Sequence, residues 1–250
     1  MTDPVTHSKI QSDYFTRADA DHFRWMTGNP YFSLHEKELL TLLNEWRAAR
    51  VLEIGCGEGG NLVNLGYRPA FAVGVDLFLD RCRFARAHAD GARTVCANGL
   101  ALPIREGTFD LVFCRDLLHH VLEREALVRG MARACRPGGR VACIEACGRN
   151  PVILTLAAAV RAERGLLRSN ARALAALLER AGLIDVAARM YQPLPIYRIL
   201  LHPKFGLPSL AERAAYRRWA DRLDRLFARI VPRALWGYTV VSGRKPGPEA

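Results

Sequence analysis

Apolar residues alternate between short strand-like runs and helical spacing over most of the chain. Residues 36–50 carry leucines at helical intervals and lead directly into the apolar run VLEIG, which ends in glycine. Read along the whole chain, the pattern predicts strands at 51–55, 71–76, 93–98, 109–114, 141–146, 183–191 and 238–245. It predicts helices at 36–50, 79–89, 122–135, 152–163, 170–181 and 209–231. Such alternation is typical of parallel strands joined by right-handed crossovers.

This order of elements predicts a doubly wound, Rossmann-like α/β fold. We expect a seven-stranded sheet, mostly parallel with the last strand antiparallel, and a helical insertion before that strand. No internal repeat or low-complexity linker interrupts the chain, so one domain should span residues 1–250. Its parts are an N-terminal helical lid at 1–35, a core at 36–150 and a substrate-side region at 151–250. Ligands of such sheets bind at the carboxyl ends of the strands.

The predicted helix at 209–231 is amphipathic. Arginines occupy most of its surface. Its large apolar residues lie on one side: Tyr216, Trp219, Leu223, Leu226, Phe227 and Ile230. The simplest expectation is that this apolar side packs on the sheet. An alternative is a helix that lies on anionic lipid.

Composition narrows the class of protein. The chain has 250 residues, of which 50% are apolar and 24% charged, so a disordered or fibrous protein is excluded. The longest apolar run, Val152 to Val160, is far shorter than the ~20 residues of a membrane span, and the N-terminal residues lack an apolar signal core. We therefore expect a cytoplasmic protein. Seven cysteines without a CxxC pair favour neither a disulfide framework nor a zinc site.

The formal charge of +11 leaves several partners open. Nucleic acid, a phosphorylated substrate or an anionic membrane surface would each suit a basic protein. Much of the excess lies beyond residue 160, scattered among alanines, which favours a solvated basic surface over a binding stripe.

A glycine-rich segment, VLEIGCGEGGN, follows the first predicted strand. Its glycines, Gly55, Gly57 and Gly59, let the backbone approach a ligand and direct amide groups toward it. Asp76 ends the next strand, 23 positions after Glu53, where the hydroxyl pair of a ribose needs an acceptor. Both NAD and S-adenosylmethionine satisfy this arrangement.

The residues that follow distinguish between NAD and S-adenosylmethionine as the cofactor. The segment from Ala97 to Ala146 resembles the small-molecule branch of class I S-adenosylmethionine methyltransferases, which includes the ubiquinone and menaquinone methyltransferases. The matching residues occur in the same order and spacing: Leu102, Pro103, Gly107, Phe109, Asp110, Leu118, His119, His120, Arg136, Pro137, Gly138 and Gly139. The resemblance is dense over about 50–147 and looser beyond.

The resemblance implies a set of cofactor-binding residues and S-adenosylhomocysteine as the product. Residues facing the methionine part of the cofactor would be Glu53, Gly55, Cys56, Gly57 and Gly59. Asp76 would hold both ribose hydroxyls, and Leu77 would lie against the adenine. Asn98 stands where the family usually has aspartate, and its carbonyl can still accept one bond from the adenine amine. Contacts beside these would come from Gly99, Leu100, Cys114 and Arg115.

Candidate catalytic residues follow the fourth predicted strand. His120, and secondarily His119, lie at the edge of the expected cofactor site, where an imidazole can take a proton near neutral pH. The alternative is that the pair fixes the following helix. Arg115, Asp116 and His120 also resemble the RD…H pattern of phosphoethanolamine methyltransferases, in which these positions lie near the amine. The alternative for Asp116 is a helix cap.

The acceptor pocket is expected between the lid and the insertion. The first 35 residues are rich in aromatics, and Tyr14, His22 and Trp25 are candidate pocket residues, although core packing would also account for them. The opposite wall should come from 193–208 and the helix at 209–231. No carboxylate cluster with metal-ligand spacing is evident, so we predict no metal.

Together these features predict methyl transfer to a small apolar or aromatic metabolite, at oxygen, carbon or nitrogen. One alternative acceptor is an amine or a phosphorylated compound. Nucleic acid is disfavoured because the fourth strand ends in FCRD, whereas amino-directed base methyltransferases carry an Asn/Asp-Pro-Pro-aromatic motif. A non-catalytic membrane-surface or scaffold protein is the remaining alternative.

Overall fold

The computed structural model describes residues 3–201 and 206–247. The strands are β1 Arg50–Ile54, β2 Phe71–Asp76, β3 Ala92–Cys96, β4 Phe109–Arg115, β5 Cys135–Ala146, β6 Ile184–Tyr191 and β7 Tyr238–Arg244. The helices are α1 Pro4–Phe15, α2 Ala20–Gly28, α3 Pro30–Leu39, α4 Thr41–Trp46, α5 Gly60–Asn64, α6 Leu79–His88, α7 Arg124–Ala134, α8 Pro151–Ala159, α9 Ala171–Arg180, α10 Tyr197–Leu200 and α11 Ala214–Ile230.

The seven strands form one sheet in the order β3-β2-β1-β4-β5-β7-β6. The pairs among the first five strands are parallel, and β7 runs antiparallel to both β5 and β6. The expected fold is therefore confirmed. Because β1, β2 and β4 are parallel neighbours, their carboxyl ends lie together at one edge of the sheet.

Both faces of the sheet are buried, which explains why the strands are apolar at nearly every position. On one face Leu52, Ile54 and Val112 pack in a cluster with residues of α7 and α9. On the other face Val51 and Phe113 pack in a cluster with residues of α3, α4 and α8. The sheet is thus covered on both sides.

Three predicted helices begin or end differently in the structure. The helix expected at 36–50 is divided into α3 and α4 at Leu40, and both Leu39 and Leu40 are fully buried there. The helix expected at 152–163 ends at Ala159 and is followed by a 3-10 helix, Arg161–Arg168. The helix expected at 209–231 is α11, preceded by a 3-10 helix at Pro208–Glu212.

The expectation that α11 packs on the sheet is wrong. Its buried side joins a separate aromatic cluster in which Tyr31, Phe32 and Tyr197 are central, and Ala220 is the buried residue of α11. The sheet faces are already covered, so α11 packs against the N-terminal helices instead. Residues 202–205, part of the expected 193–208 wall, lie outside the described residues. Across the described part of the chain, no helix has the length and apolar character needed to span a membrane.

Candidate active site

A cavity of about 1430 Å³ opens at the carboxyl edge of the sheet. Its walls come from the N-terminal lid, the ends of β1, β2 and β4, and α8. Asp76 ends β2, whereas α8 follows β5, so the strand order separates these two walls by three strand spacings, roughly 14 Å. The cavity therefore has one side built from the glycine-rich segment and another built from α8.

The glycine-rich segment turns sharply after β1. Gly55 and Gly57 have φ values of +72° and +53°, and a Cβ on Gly55 would lie 2.9 Å from the side chain of Leu117. The amides of Gly55 and Cys56 both donate to the carbonyl of Val75, at 2.7 and 3.0 Å. The amide of Gly57 donates to the carboxylate of Asp76, so the expectation that these amides point at a ligand is wrong for these three.

The turn instead fixes the carboxylate of Asp76. Oδ2 accepts the amide of Gly57 at 2.9 Å, and Oδ1 accepts the amide of Phe78 at 3.0 Å. Each carboxylate oxygen has a further lone pair, so both remain able to accept a hydroxyl. Asp76 is thus held rigidly at the cavity wall with two acceptor positions available.

Nine of the predicted cofactor residues line the cavity: Gly55, Cys56, Gly57, Asp76, Leu77, Asn98, Gly99, Leu100 and Arg115. Glu53, Gly59 and Cys114 are not on its wall. Glu53 is fully buried and accepts the side-chain amide of Asn61 at 2.6 Å through Oε1, while Oε2 has no partner. Burial raises the pKa of Glu53 to about 8.

The residues on this wall fit S-adenosylmethionine. Asp76 offers two fixed acceptors for the ribose hydroxyls, and Leu77, 58% exposed, offers an apolar surface for adenine. Asn98 uses Oδ1 to accept the amide of Leu100 at 2.9 Å, which begins a 3-10 helix at Gly99. The same oxygen retains a second lone pair for the adenine amine.

The lid is fastened to the glycine-rich segment by Glu58. Its carboxylate pairs with Arg81 of α6 through two bonds, at 3.0 and 2.9 Å, and also accepts the backbone amide of Asp19 at 3.0 Å. Burial opposes the charge of Glu58, but Arg81 outweighs it and lowers its pKa. Sequence reasoning did not single out Glu58, although a carboxylate within a glycine-rich segment was a usable signal.

Five polar side chains from distant segments of the chain meet at the wall of the cavity, and four of them belong to residues that line it. Glu36 of α3 accepts bonds from both Arg115 of β4 and Arg198 of α10, the latter at 2.6 Å. Tyr238 of β7 donates to Asp116 at 3.1 Å, and the guanidinium of Arg198 lies 4.2 Å from its ring centre. Burial would raise the pKa of Glu36, but the two arginines lower it below its ordinary value. No local pattern in the sequence indicated Glu36, Arg198 or Tyr238.

Asp116 lines the cavity and does not cap a helix. The alternative expected for it, a cap on the following turn, is wrong because the 3-10 helix Leu118–His120 has no side-chain cap. The residue has a φ of +48°, a left-handed conformation that aspartate tolerates better than most residues. Its Oδ1 has no hydrogen-bond partner within the described chain.

His119 is held between two carboxylates. Nδ1 lies 2.5 Å from Glu145 Oε2 and Nε2 lies 3.1 Å from Glu163 Oε2. Glu145 Oε1 also accepts the amides of Leu117 and Leu118. Burial opposes the charged imidazole, but Glu145 and Glu163 outweigh it and raise the pKa of His119 to about 10. Such an imidazolium has no free nitrogen with which to take a proton, which favours a structural role.

The ion pairs of His119 make stability depend on alkaline pH. Because the folded-state pKa is about 10 and the ordinary value is 6.5, their contribution is complete below about pH 6.5 and is lost as pH rises through 10. We expect the free energy of unfolding of the wild type to fall between pH 7 and pH 10 more than that of His119→Gln. Urea unfolding of both proteins at each pH measures the difference, and parallel curves would contradict this assignment.

His120 differs from His119 in its charge and in its hydrogen bonds. Burial, together with the charge of His119, lowers the pKa of His120 to about 3, so its ring is neutral at pH 7. Nδ1 is buried without a partner among the described residues, and the ring packs edge-on against Phe15 of the lid at 4.7 Å between centroids. His120 therefore contributes an uncharged ring to the cavity wall.

His119, His120 and Glu163 also place three ligand-type atoms within 4.8 Å of one another. Such a group has the composition of a metal site. However, both ring nitrogens of His119 already bind carboxylates, so His119 has no free nitrogen with which to bind a metal. Metal independence stays a prediction.

Tyr14, His22 and Trp25 all line the cavity, and their contact with the acceptor stays a prediction. Trp25 is also buried and stacks on Phe32 at 3.4 Å between ring centroids, so it belongs to the aromatic cluster as well. Tyr14 is 56% exposed. The wall opposite Asp76 comes from α8 and its C-terminal end, which we call the apolar wall: Val152, Ile153, Leu156 and Val160.

Comparison with known proteins agrees with this geometry. A family model described as "Methyltransferase domain" matches residues 52–143. The chain is 30% identical over 218 residues to the ubiquinone biosynthesis O-methyltransferase of Xanthomonas euvesicatoria pv. vesicatoria (strain 85-10), covering 75% of this chain and 89% of that protein. The chain therefore belongs to the S-adenosylmethionine-dependent methyltransferase family, which confirms the resemblance read from the motifs.

Other relatives differ in the acceptor that their names give. The phosphoethanolamine N-methyltransferase of Triticum aestivum is 29% identical over 157 residues, which are 61% of this chain and 31% of that protein. The chain thus matches about a third of the length of that relative. A crystal structure from Thermotoga maritima, described as a possible histamine N-methyltransferase, shares the fold with a TM-score of 0.66 at 17% identity, covering 96% of this chain and 99% of that one.

Proposed function

We propose that the protein transfers the methyl group of S-adenosylmethionine to a small, largely apolar or aromatic acceptor. The observation that carries this proposal is the apolar wall, which follows β5 and is thus three strands away from Asp76 in the order of the sheet. A pocket of this kind binds by burying the apolar surface of its ligand, with a few polar groups to orient it. Here those groups are Asp116 and His120.

The cofactor, when bound, supplies an activated methyl group on a sulfonium centre. The protein would contribute orientation: Asp76 would hold the ribose, Leu77 would lie against adenine, and the backbone near Arg115 would border the amino-acid portion. Fixing two reactants in line at near contact removes several kcal/mol of barrier, with a ceiling of roughly 7–11 kcal/mol in favourable cases. The lid and the apolar wall then exclude water from the acceptor.

His120 serves in this proposal as a hydrogen-bond acceptor that orients a hydroxyl or amine through Nδ1. A pKa of about 3 makes its ring a weak base at neutral pH, so strong proton abstraction is outside its reach. An acceptor that is already nucleophilic, such as an amine or an ionised phenol, needs no stronger base.

A phosphorylated acceptor is a poorer fit, although the plant relatives carry phosphoethanolamine in their names. Three little-exposed arginines at the cavity are already paired, Arg115 and Arg198 with Glu36 and Arg81 with Glu58. A phosphate would have to compete with those ion pairs. An uncharged amine could instead donate to Asp116 Oδ1, which has no partner within the described chain.

Leu156→Asp tests the apolar wall. We expect this variant to lose at least tenfold in kcat/KM toward a panel of phenolic, quinol and alkylamine acceptors, because one buried apolar side chain contributes about 1.5–3 kcal/mol. Its affinity for S-adenosylmethionine should stay unchanged.

Leu154→Asp is the matched control on the same helix, because Leu154 is 39% exposed and does not line the cavity. Equal losses in both variants would mean that the helix, not its cavity side, was damaged. Turnover of phosphoethanolamine in preference to every apolar acceptor would refute the proposed acceptor class.

A further inference from the structure

α11 carries an exposed apolar stripe that its packing leaves uncovered. Trp219, Leu226 and Ile230 are spaced by seven and four residues and so lie on one side of the helix. They are 49%, 50% and 61% exposed. The buried side of the helix, with Ala220, faces the aromatic cluster instead. About half or more of each of these residues is thus left exposed, although the ring of Trp219 also lies 6.1 Å from that of Tyr216.

A row of arginines runs beside this stripe. Arg218, Arg222, Arg225 and Arg229 follow one another at intervals of four, three and four residues, and all four are exposed. Among residues 3–201 and 206–247, none of these guanidinium groups forms a salt bridge. The row is therefore free to meet an external anion along its whole length.

The acidic residues of α11 form no salt bridge with this row within the described chain. Asp221 bonds the hydroxyl of Tyr31, and Asp224 interacts with His35 and Glu38 as well as with Arg225 of the row, so both lie toward the N-terminal helices. Positive charge and apolar surface consequently occupy adjacent strips of the same exposed helix. This arrangement matches an interface in which phosphate groups lie directly beside a hydrocarbon phase.

We propose that α11 docks the protein on the surface of an anionic phospholipid bilayer. The stripe enters the boundary between headgroups and acyl chains, and the arginine row binds lipid phosphates. Nucleic acid offers phosphates but no apolar phase for Leu226 and Ile230. In a dimer about a twofold axis, the arginine row of one copy would face the arginine row of the other. Neither row contains carboxylates that could pair with these arginines, which disfavours a dimer through this surface. This inference does not depend on the proposed acceptor.

Vesicle flotation tests the proposal. We expect the full-length protein to bind vesicles of phosphatidylcholine mixed with phosphatidylglycerol, and to bind pure phosphatidylcholine much more weakly. Because each surface cation adds about 1 kcal/mol, Arg222→Glu with Arg229→Glu should lower the partition coefficient at least tenfold. Trp219→Ser with Leu226→Ser should also weaken binding, and the residual binding should be abolished by salt.

Arg83→Glu with Arg86→Glu is the matched control. These exposed arginines lie on α6, away from α11, and their reversal changes the net charge by the same amount. Unchanged vesicle binding in this control supports docking through α11. The proposal is overturned if both charge variants lose vesicle binding equally, if the wild type does not bind vesicles, or if Trp219→Ser with Leu226→Ser leaves vesicle binding unchanged. It is also overturned if these variants abolish only RNA binding or only self-association, whatever the outcome of the methylation assays.

Discussion

Asp76→Ala will reduce affinity for S-adenosylmethionine and S-adenosylhomocysteine by at least about 100-fold, equivalent to roughly 2.7 kcal/mol. The reason is geometric. The amides of Gly57 and Phe78 fix the two carboxylate oxygens in place, so that each would accept one ribose hydroxyl of the bound cofactor. Hydrogen bonds to a charged group are worth about 1.5–3 kcal/mol each, so losing two gives an effect of this size. Calorimetric titration measures it.

Asp90→Ala is the control for this experiment, because Asp90 is almost fully exposed and lies outside the cavity. Thermal unfolding should accompany the titration, since Asp76 also holds the turn after β1. A folded Asp76→Ala protein that binds S-adenosylmethionine as tightly as the wild type would refute the assigned cofactor site. Binding of NAD by the wild type would do the same.

Glu36→Gln will destabilise the protein by about 3–5 kcal/mol, because it removes the buried anion that two buried arginines share. Arg115 is 2% exposed and Arg198 is 17% exposed, so neither can recover its hydration after the substitution. Urea unfolding measures the loss. Glu38→Gln on the same helix is the control, because Glu38 is 44% exposed and its ion pair with His35, at 3.8 Å, is long.

The pH dependence of this network has a definite sign. The pKa of Glu36 is lowered in the folded state, so its contribution is present above the ordinary value of 4.5 and is lost as pH falls through the folded-state pKa. The wild type should therefore lose stability on acidification more steeply than Glu36→Gln. A variant as stable as the wild type at pH 7 would contradict the role given to Glu36.

These two expectations concern different functions of one site. We assign Asp76 to cofactor binding, whereas Glu36 joins α3, β4 and α10 behind the cavity. Arg115 is part of both the cavity wall and the buried ion pairs, since it lines the cavity and binds Glu36 and Asn61. Loss of Glu36 should consequently loosen the substrate side as well as lower stability.

Local patterns in the sequence determined the strands, the order of elements and the position of the cofactor site. Each rests on neighbouring residues: apolar runs for buried strands, the glycines after the first strand for a ligand-binding segment, and Asp76 at the end of the next strand. Because parallel strands end at one edge, residues from separate motifs could be placed together without coordinates. The methyltransferase family followed from contiguous motifs in the same way.

The tertiary structure decided what depends on residues far apart in the chain. Glu36 meets Arg198, and His119 meets Glu145 and Glu163, through contacts that no local spacing encodes. Opposite protonation of the adjacent His119 and His120 follows from those contacts, because the pKa of a buried group depends on which charges surround it. The exposed stripe of α11 was equally undetermined by sequence. Its periodicity showed an apolar side, but only packing against the lid decided how much of that side stays exposed to solvent.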